Sequence, residues 1–182
     1  KIKQKNKSSQ KALLVSANPE TSSAITYTEN LLSFRSNSGN IKFVDDEINA
    51  INKTLLNKGK WTLKRFSTDL LDSKSVNETK FKALDIGEYK YIHIAAHGVH
   101  DETNPKYSGL LLGRTTVEDG ILQSHEIFPL NLSADLVTLS SCFSGFGEID
   151  PNEGNLGIYR SFLMAGAKSV IISLWDVEDE ST

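Results

Sequence analysis

The sequence has 182 residues, of which 38% are hydrophobic and 24% charged, and its formal net charge is −3. This ordinary soluble composition contains no basic stripe with interleaved aromatic residues for nucleic acid, no ~20-residue apolar run for a membrane and no signal peptide. The single cysteine excludes an internal disulfide and a cysteine metal cluster, so we expect a reducing, cytoplasmic setting.

The first ten residues, KIKQKNKSSQ, are rich in lysine and nearly free of large apolar side chains. Such a segment cannot bury enough apolar surface to fold by itself. We therefore predict that residues 1–10 are a basic, flexible linker or tail within a longer protein, and that residues 11–182 form one domain.

Apolar runs and helical periodicities alternate along the rest of the chain. Buried strands are predicted at Lys11–Ala17, Tyr89–Ala96, Ala134–Ser141 and Lys168–Trp175, and alternation favours a further strand at Trp61–Ser67. Helices are predicted at Val44–Gly59, at Asn77–Gly87 with Asn77 as cap, and at Asn155–Gly166; Ser23–Phe34 is a helix or an ordered insertion. This order predicts an α/β fold with a mostly parallel sheet sandwiched by helices.

Two predicted strands end in residues that can perform chemistry. The first ends in HIAAHG, with His97 at its tip, and the second in LSSCFSG, with Cys142 at its tip. In an open parallel sheet, functional groups collect at the carboxyl ends of the strands. If the two strands are parallel neighbours, the imidazole and the thiol lie at the same edge of the sheet.

A cysteine and a histidine so placed form a candidate nucleophile and base. A free thiol has a pKa of about 8.5, and a nearby histidine lowers it or takes up its proton. The backbone amides of Gly98 and Cys142 are candidate donors to an oxyanion. The alternative is that Cys142 is a small buried hydrophobic residue and that His97 bonds a loop carbonyl.

The remaining histidines are interpreted separately. His93 lies inside a strand and is expected to be structural, whereas His100 follows His97 and is a rival base. His125 follows Ser124, a predicted helix cap. These residues do not form a metal site. The glycine-rich segment GFGEIDPNEGNLG matches no phosphate-binding fingerprint and is expected to be a loop.

The motifs HIAAHG and LSSCFSG, together with YSGLLLG and AGAKSVIISLWDVED, resemble the CHAT family of caspase-like cysteine peptidases over roughly the second half of the chain. The resemblance implies the caspase-hemoglobinase fold, a dyad of Cys142 and His97, and an oxyanion donor at Gly98, with no metal or organic cofactor. It also implies a protein substrate and a role in signalling or defence beside a regulatory repeat domain or partner subunit. Nucleic acid and membranes are not expected to bind directly.

The sequence departs from the family pattern at two places. Phe143 stands where a polar residue is common, and the last helix and strand of the family fold are not found, so residues 11–182 are expected to be an incomplete CHAT domain. We hypothesise that Asp176 or Asp179 favours a basic residue before the cut bond; the alternative is a solvated or loop-fixing acidic end. The function is then that of a cysteine endopeptidase, or else of a non-catalytic scaffold or signal-binding module.

Overall fold

The computed structural model describes residues 10–18, 43–56, 66–99, 101, 104–141, 149–150, 154–155 and 157–173. In chain order the strands are β1 (Gln10–Ser16), β2 (Phe66–Leu71), β3 (Tyr91–Ala95), β4 (His97–Val99), β5 (Gly109–Leu111), β6 (Ile121–Gln123), β7 (Leu136–Ser140), β8 (Ile149–Asp150), β9 (Gly154–Asn155) and β10 (Val170–Ile172). The helices are α1 (Val44–Leu56), α2 (Glu78–Lys82), α3 (Ser124–Ile127) and α4 (Ile158–Met164), with 3-10 turns at Ile86–Glu88 and Pro105–Tyr107.

A five-stranded sheet in the order β10-β7-β3-β1-β2 forms the centre of the fold, and all of its pairings are parallel. Its strand β1 is a continuous apolar run because both faces of the sheet are covered; Leu13, Leu14 and Val15 are at most 2% exposed. This confirms the predicted mostly parallel α/β sheet.

Helices cover both faces of this sheet. On one face, α1 packs Val44 and Ile48 against Leu14 and Ala95. On the other face, the main hydrophobic core receives α2, α3 and α4 through the buried side chains Phe81, Ile127 and Phe162. No helix in the described ranges combines the length and the apolar character needed to cross a membrane.

Two further small sheets were not predicted. Strands β4, β5 and β6 form an antiparallel sheet, and β8 and β9 pair as a two-residue ladder within the segment expected to be a loop. Because these strands are only two or three residues long, they are too short for alternation to distinguish them from loops.

The structure corrects predicted boundaries at β2, α2 and α3. The strand predicted at Trp61–Ser67 continues to Leu71 in β2, which pairs with β1, whereas residues 61–65 lie outside the described part of the chain. Asn77 caps α2 as expected, but this helix ends at Lys82, and Gly87 lies in a 3-10 turn where a Cβ would come within 2.9 Å of the Asn131 carbonyl oxygen. The N-cap of α3 is Gln123 and not Ser124; the backbone amide of Gln123 donates to Glu126 Oε2.

The helix predicted at Asn155–Gly166 begins instead at Ile158, because Asn155 pairs in β9. Gly166 follows α4 with a φ of +113°, which confirms the predicted glycine stop. The predicted helix at Ser23–Phe34, the cap at Gly59 and the strand end at Trp175 lie outside the described residues.

A lysine joins α2 to the antiparallel sheet and to α3. The ammonium group of Lys82 lies 2.6 Å from Glu78, 3.0 Å from Glu118 and 2.6 Å from Glu126. Glu78 is 1% exposed and also accepts a hydrogen bond from the Gly120 amide at 2.8 Å. One cation therefore holds three carboxylates from separate segments of the chain.

Burial and charge act in opposite directions on this cluster. Burial raises the pKa of Glu78 to about 7, although Lys82 and the Gly120 amide both favour the charged form. Burial alone would lower the pKa of Lys82, but hydrogen bonds to the three carboxylates hold it above its ordinary value. Because one cation serves three carboxylates, the most buried of them takes up a proton most readily.

Replacing Lys82 with methionine is expected to destabilise the fold by about 2 to 4 kcal/mol, because three partly buried carboxylates lose their cation. Urea unfolding of Lys82→Met, with Lys80→Met as the control, measures this loss. Equal effects of the two substitutions would contradict it.

The Glu78→Gln variant tests the raised pKa. In the folded protein Glu78 binds its proton more tightly than its ordinary pKa of 4.5 allows, so its stabilising contribution is complete below pH 4.5 and is lost as the pH rises through about 7. Relative to wild type, Glu78→Gln should therefore gain up to about 3 kcal/mol of stability between pH 5 and pH 8. A difference that does not change with pH in urea unfolding would show that the pKa is not raised.

Candidate active site

The strands that end next to the predicted dyad are parallel neighbours. Strand β3 pairs with β7 from Tyr91 with Leu136 to Ala95 with Ser140, and the Ala96 amide donates to the Ser140 carbonyl oxygen at 3.2 Å. Every pair in this ladder is offset by 45 residues, and 45 residues also separate His97 from Cys142 in the sequence. The prediction that His97 and Cys142 lie at the same edge of the sheet requires β3 and β7 to be parallel neighbours, and they are.

The sequence predicted His97 at the tip of a strand that leads into a loop, but the residues after this tip form a further strand, β4. It is the first residue of β4, where it is half-buried and pairs with Leu111, and the next residue, Gly98, is buried and pairs with Leu110. The chain leaves the parallel sheet at Ala96, and this single residue is enough to transfer it to the antiparallel sheet. Backbone pairing therefore fixes the chain on both sides of Ala96: β3 pairs with β7 before it, and His97 pairs with Leu111 after it.

The other predicted site residues lie outside the described part of the chain. These are Cys142, the predicted nucleophile; His100, the rival base; and Asp176 and Asp179, the predicted pocket residues. Their roles, and the oxyanion role of the Gly98 and Cys142 amides, stay predictions.

His93, expected to be structural, contacts an acidic residue, Glu47, of the helix that covers one face of the sheet. Its Nε2 atom lies 3.0 Å from Glu47 Oε1, in the first turn of α1. The second carboxylate oxygen of Glu47 accepts a hydrogen bond from Ser140 Oγ at 3.1 Å. Glu47 thus contacts both β3 and the last residue of β7.

Asp45, two residues earlier, contacts the ends of two other segments. Its carboxylate accepts hydrogen bonds from the hydroxyl of Ser16, the last residue of β1, and from the amide (3.1 Å) and hydroxyl (2.5 Å) of Ser73, which follows β2. Burial would raise the pKa of Asp45, but these hydrogen bonds outweigh it and hold the pKa below its ordinary value. The first turn of α1 is therefore fixed at the carboxyl ends of several strands.

His125 lies in α3, as predicted, and not in the segments that contact Asp45 or Glu47. Its Nδ1 atom is 3.3 Å from the Lys106 carbonyl oxygen, and its ring meets the Tyr107 ring edge-on at 5.6 Å. In the described residues, the group of carboxylates close enough to share a cation is Glu78, Glu118 and Glu126. The ammonium of Lys82 lies among them, so this cluster serves the fold.

A match to one protein-family model shows the family of this chain. The model of the CHAT domain matches residues 1–182, so the chain belongs to the CHAT-domain family, whose members are caspase-like peptidases and related modules. The parallel sheet with helices on both faces agrees with the caspase-like fold of this family. A search of curated proteins gives no match.

The contacts of Asp45 lead to a stability prediction. Asp45→Asn should cost about 1 to 3 kcal/mol at pH 7, because three donors share a weaker acceptor group. The pKa of Asp45 is lowered in the folded state, so its carboxylate stabilises the fold above the ordinary value of 3.8, and this stabilisation is lost as the pH falls below that value. The loss of stability caused by Asp45→Asn should therefore become smaller in acid. Thermal unfolding from pH 3 to pH 7 measures this, with the exposed Asp46→Asn as control. Equal costs for both substitutions at pH 7 would contradict it.

Proposed function

We propose that this CHAT-domain chain is a cysteine endopeptidase that cleaves a protein partner, with Cys142 as nucleophile and His97 as general base and acid. The observation that supports the proposal is the β3–β7 ladder, whose 45-residue offset equals the interval from His97 to Cys142. Membership of a caspase-like family makes peptide cleavage the reaction to test first.

The proposed reaction has two halves. His97 takes the proton of the Cys142 thiol, and the sulfur attacks the carbonyl carbon of the scissile peptide, giving a tetrahedral oxyanion. The amides of Gly98 and Cys142 donate to this oxyanion. The carbon–nitrogen bond breaks as the imidazolium returns its proton to the leaving amine, which leaves an acyl group on sulfur. Water, deprotonated by His97, then attacks the thioester and releases the acid and the thiol.

Substrate, partner and setting are part of the same proposal. We place Asp176 or Asp179 near the pocket for the residue before the cut bond, where a carboxylate would favour lysine or arginine. A regulatory repeat domain or a partner subunit controls access to the substrate, and the reaction takes place in the cytoplasm, where a single unpaired thiol stays reduced. No metal or organic cofactor is required for this chemistry.

The dyad is tested by cleavage of a pooled library of fluorogenic peptides. Cys142→Ala should abolish turnover, and His97→Ala should lower kcat/KM at least ~1,000-fold, because the thiol loses its base and the amine its acid. His125→Ala, a histidine in α3, is the matched control and should stay within ~3-fold of wild type. Retained activity in His97→Ala would refute the dyad. No cleavage by the wild type, with a thiol that alkylates like free cysteine, would favour the scaffold alternative.

The pocket hypothesis has its own measurement. Among peptides that differ only in the residue before the cut bond, those with arginine or lysine should be preferred over leucine or aspartate by at least ~10-fold in kcat/KM. Asp176→Asn or Asp179→Asn should reduce this preference, whereas Glu180→Gln should not. A preference for acidic or apolar residues in the wild type would remove the hypothesis.

A further inference from the structure

The carboxylate of Glu47 joins the two strands that lead to the proposed dyad. One oxygen lies 3.0 Å from His93 Nε2 in β3, and the other accepts from the hydroxyl of Ser140, the last residue of β7, at 3.1 Å. The side chain of Glu47 is 27% exposed and that of His93 12%, so water screens this contact only partly.

Ser140 is held from two directions. Its hydroxyl donates to Glu47, and its carbonyl oxygen accepts from the Ala96 amide at 3.2 Å. Ala96 directly precedes His97, and Ser140 stands two residues before Cys142. The serine is therefore bonded both to the segment that carries the proposed base and to the helix that covers the sheet.

Glu47 is itself firmly placed. It lies in the first turn of the 13-residue helix α1. The next residue of this helix, Ile48, is fully buried against Leu14 and Ala95. The helix dipole favours a negative charge at this end. Asp45, two residues earlier, fixes the same turn to Ser16 and Ser73. The carboxylate can therefore act as a fixed point for the strand ends.

We propose that Glu47 is a positioning residue of this peptidase, which holds the ends of β3 and β7 so that His97 and Cys142 keep their catalytic spacing. This inference rests on the proposed dyad. Glu47 does not touch the reacting atoms; it acts through Ser140 and His93. Small displacements of a catalytic group lower rates strongly, about 100-fold for 1 Å in unfavourable cases.

The experiment measures alkylation of the purified chain by iodoacetamide from pH 5 to pH 9. Since the chain has one cysteine, carbamidomethylation of a thiol, located by peptide mass spectrometry, reports on Cys142 alone. The variants are Glu47→Ala, Glu47→Gln and Ser140→Ala, with the exposed Asp46→Ala as a charge-matched control in the same helical turn. His97→Ala reports on the dyad itself, and thermal unfolding of each variant reports on the fold.

If Glu47 positions the dyad, Glu47→Ala should alkylate at least ~10-fold more slowly than wild type at pH 6, with a profile moved toward that of a free thiol. Ser140→Ala, which deletes one hydroxyl, should change in the same direction by ~3-fold or more, and it decides the question if Glu47→Ala fails to fold. Glu47→Gln keeps the shape and an acceptor for Ser140, so it should stay within ~3-fold of wild type, as should Asp46→Ala.

Three results would overturn the inference. The first is a wild-type profile in both folded Glu47→Ala and Ser140→Ala while His97→Ala slows alkylation; the dyad then stands and only the positioning role fails. The second is Glu47→Gln as slow as Glu47→Ala, because charge and not placement would then be the cause. The third is a free-thiol profile in the wild type that His97→Ala leaves unchanged, which removes the dyad and the positioning role together.

Discussion

The register between β3 and β7 is the constraint on which the rest of the candidate site depends. In this ladder Ile92 and Ile94 of β3, and Val137 and Leu139 of β7, are at most 2% exposed on one face of the sheet. A slip by one residue would turn these side chains toward the opposite face and the polar ones into the core. Burial therefore disfavours a one-residue change of the 45-residue offset, and at this offset the last residues of the two strands, Ala95 and Ser140, lie side by side.

His97, the first residue of β4, is separated from β3 by Ala96 alone and is constrained a second time. From His97 onward the chain pairs in the antiparallel sheet, whose β5–β6 connection is tied to α2 by Lys82 through Glu118 and by Glu78 through the Gly120 amide. A partly buried cation shared by three carboxylates is costly to desolvate, so its contribution to net stability is small or negative compared with an apolar cluster. What the cluster provides is a fixed geometry between the antiparallel sheet and the helices α2 and α3, whose side chains Phe81 and Ile127 pack in the main core.

The sequence was informative where patterns are long and local. Runs such as KALLVSA and YIHIAA predicted the central strands, and the topology rule for parallel sheets then indicated the edge at which to look for the site. Sequence patterns did not predict β4, β5 and β6, which have three residues each, and so a loop was expected after His97 where the structure has β4. The role of Glu47 could not be predicted, because its partners His93 and Ser140 are 46 and 93 residues away in the chain.

The acidic start of α1 nevertheless has a general cause. A helix that runs back between two parallel strands begins at the carboxyl edge of the sheet and ends at the amino edge. The dipole favours acidic residues in the first turn, so topology and helix electrostatics together bring carboxylates to the edge where the strands end. Here Asp45 contacts the ends of β1 and β2, whereas Glu47 contacts β3 and β7. The two carboxylates contact different strands because of their spacing in the sequence. Two residues along a helix correspond to a rotation of about 200°. Asp45 and Glu47 therefore point to opposite sides of α1.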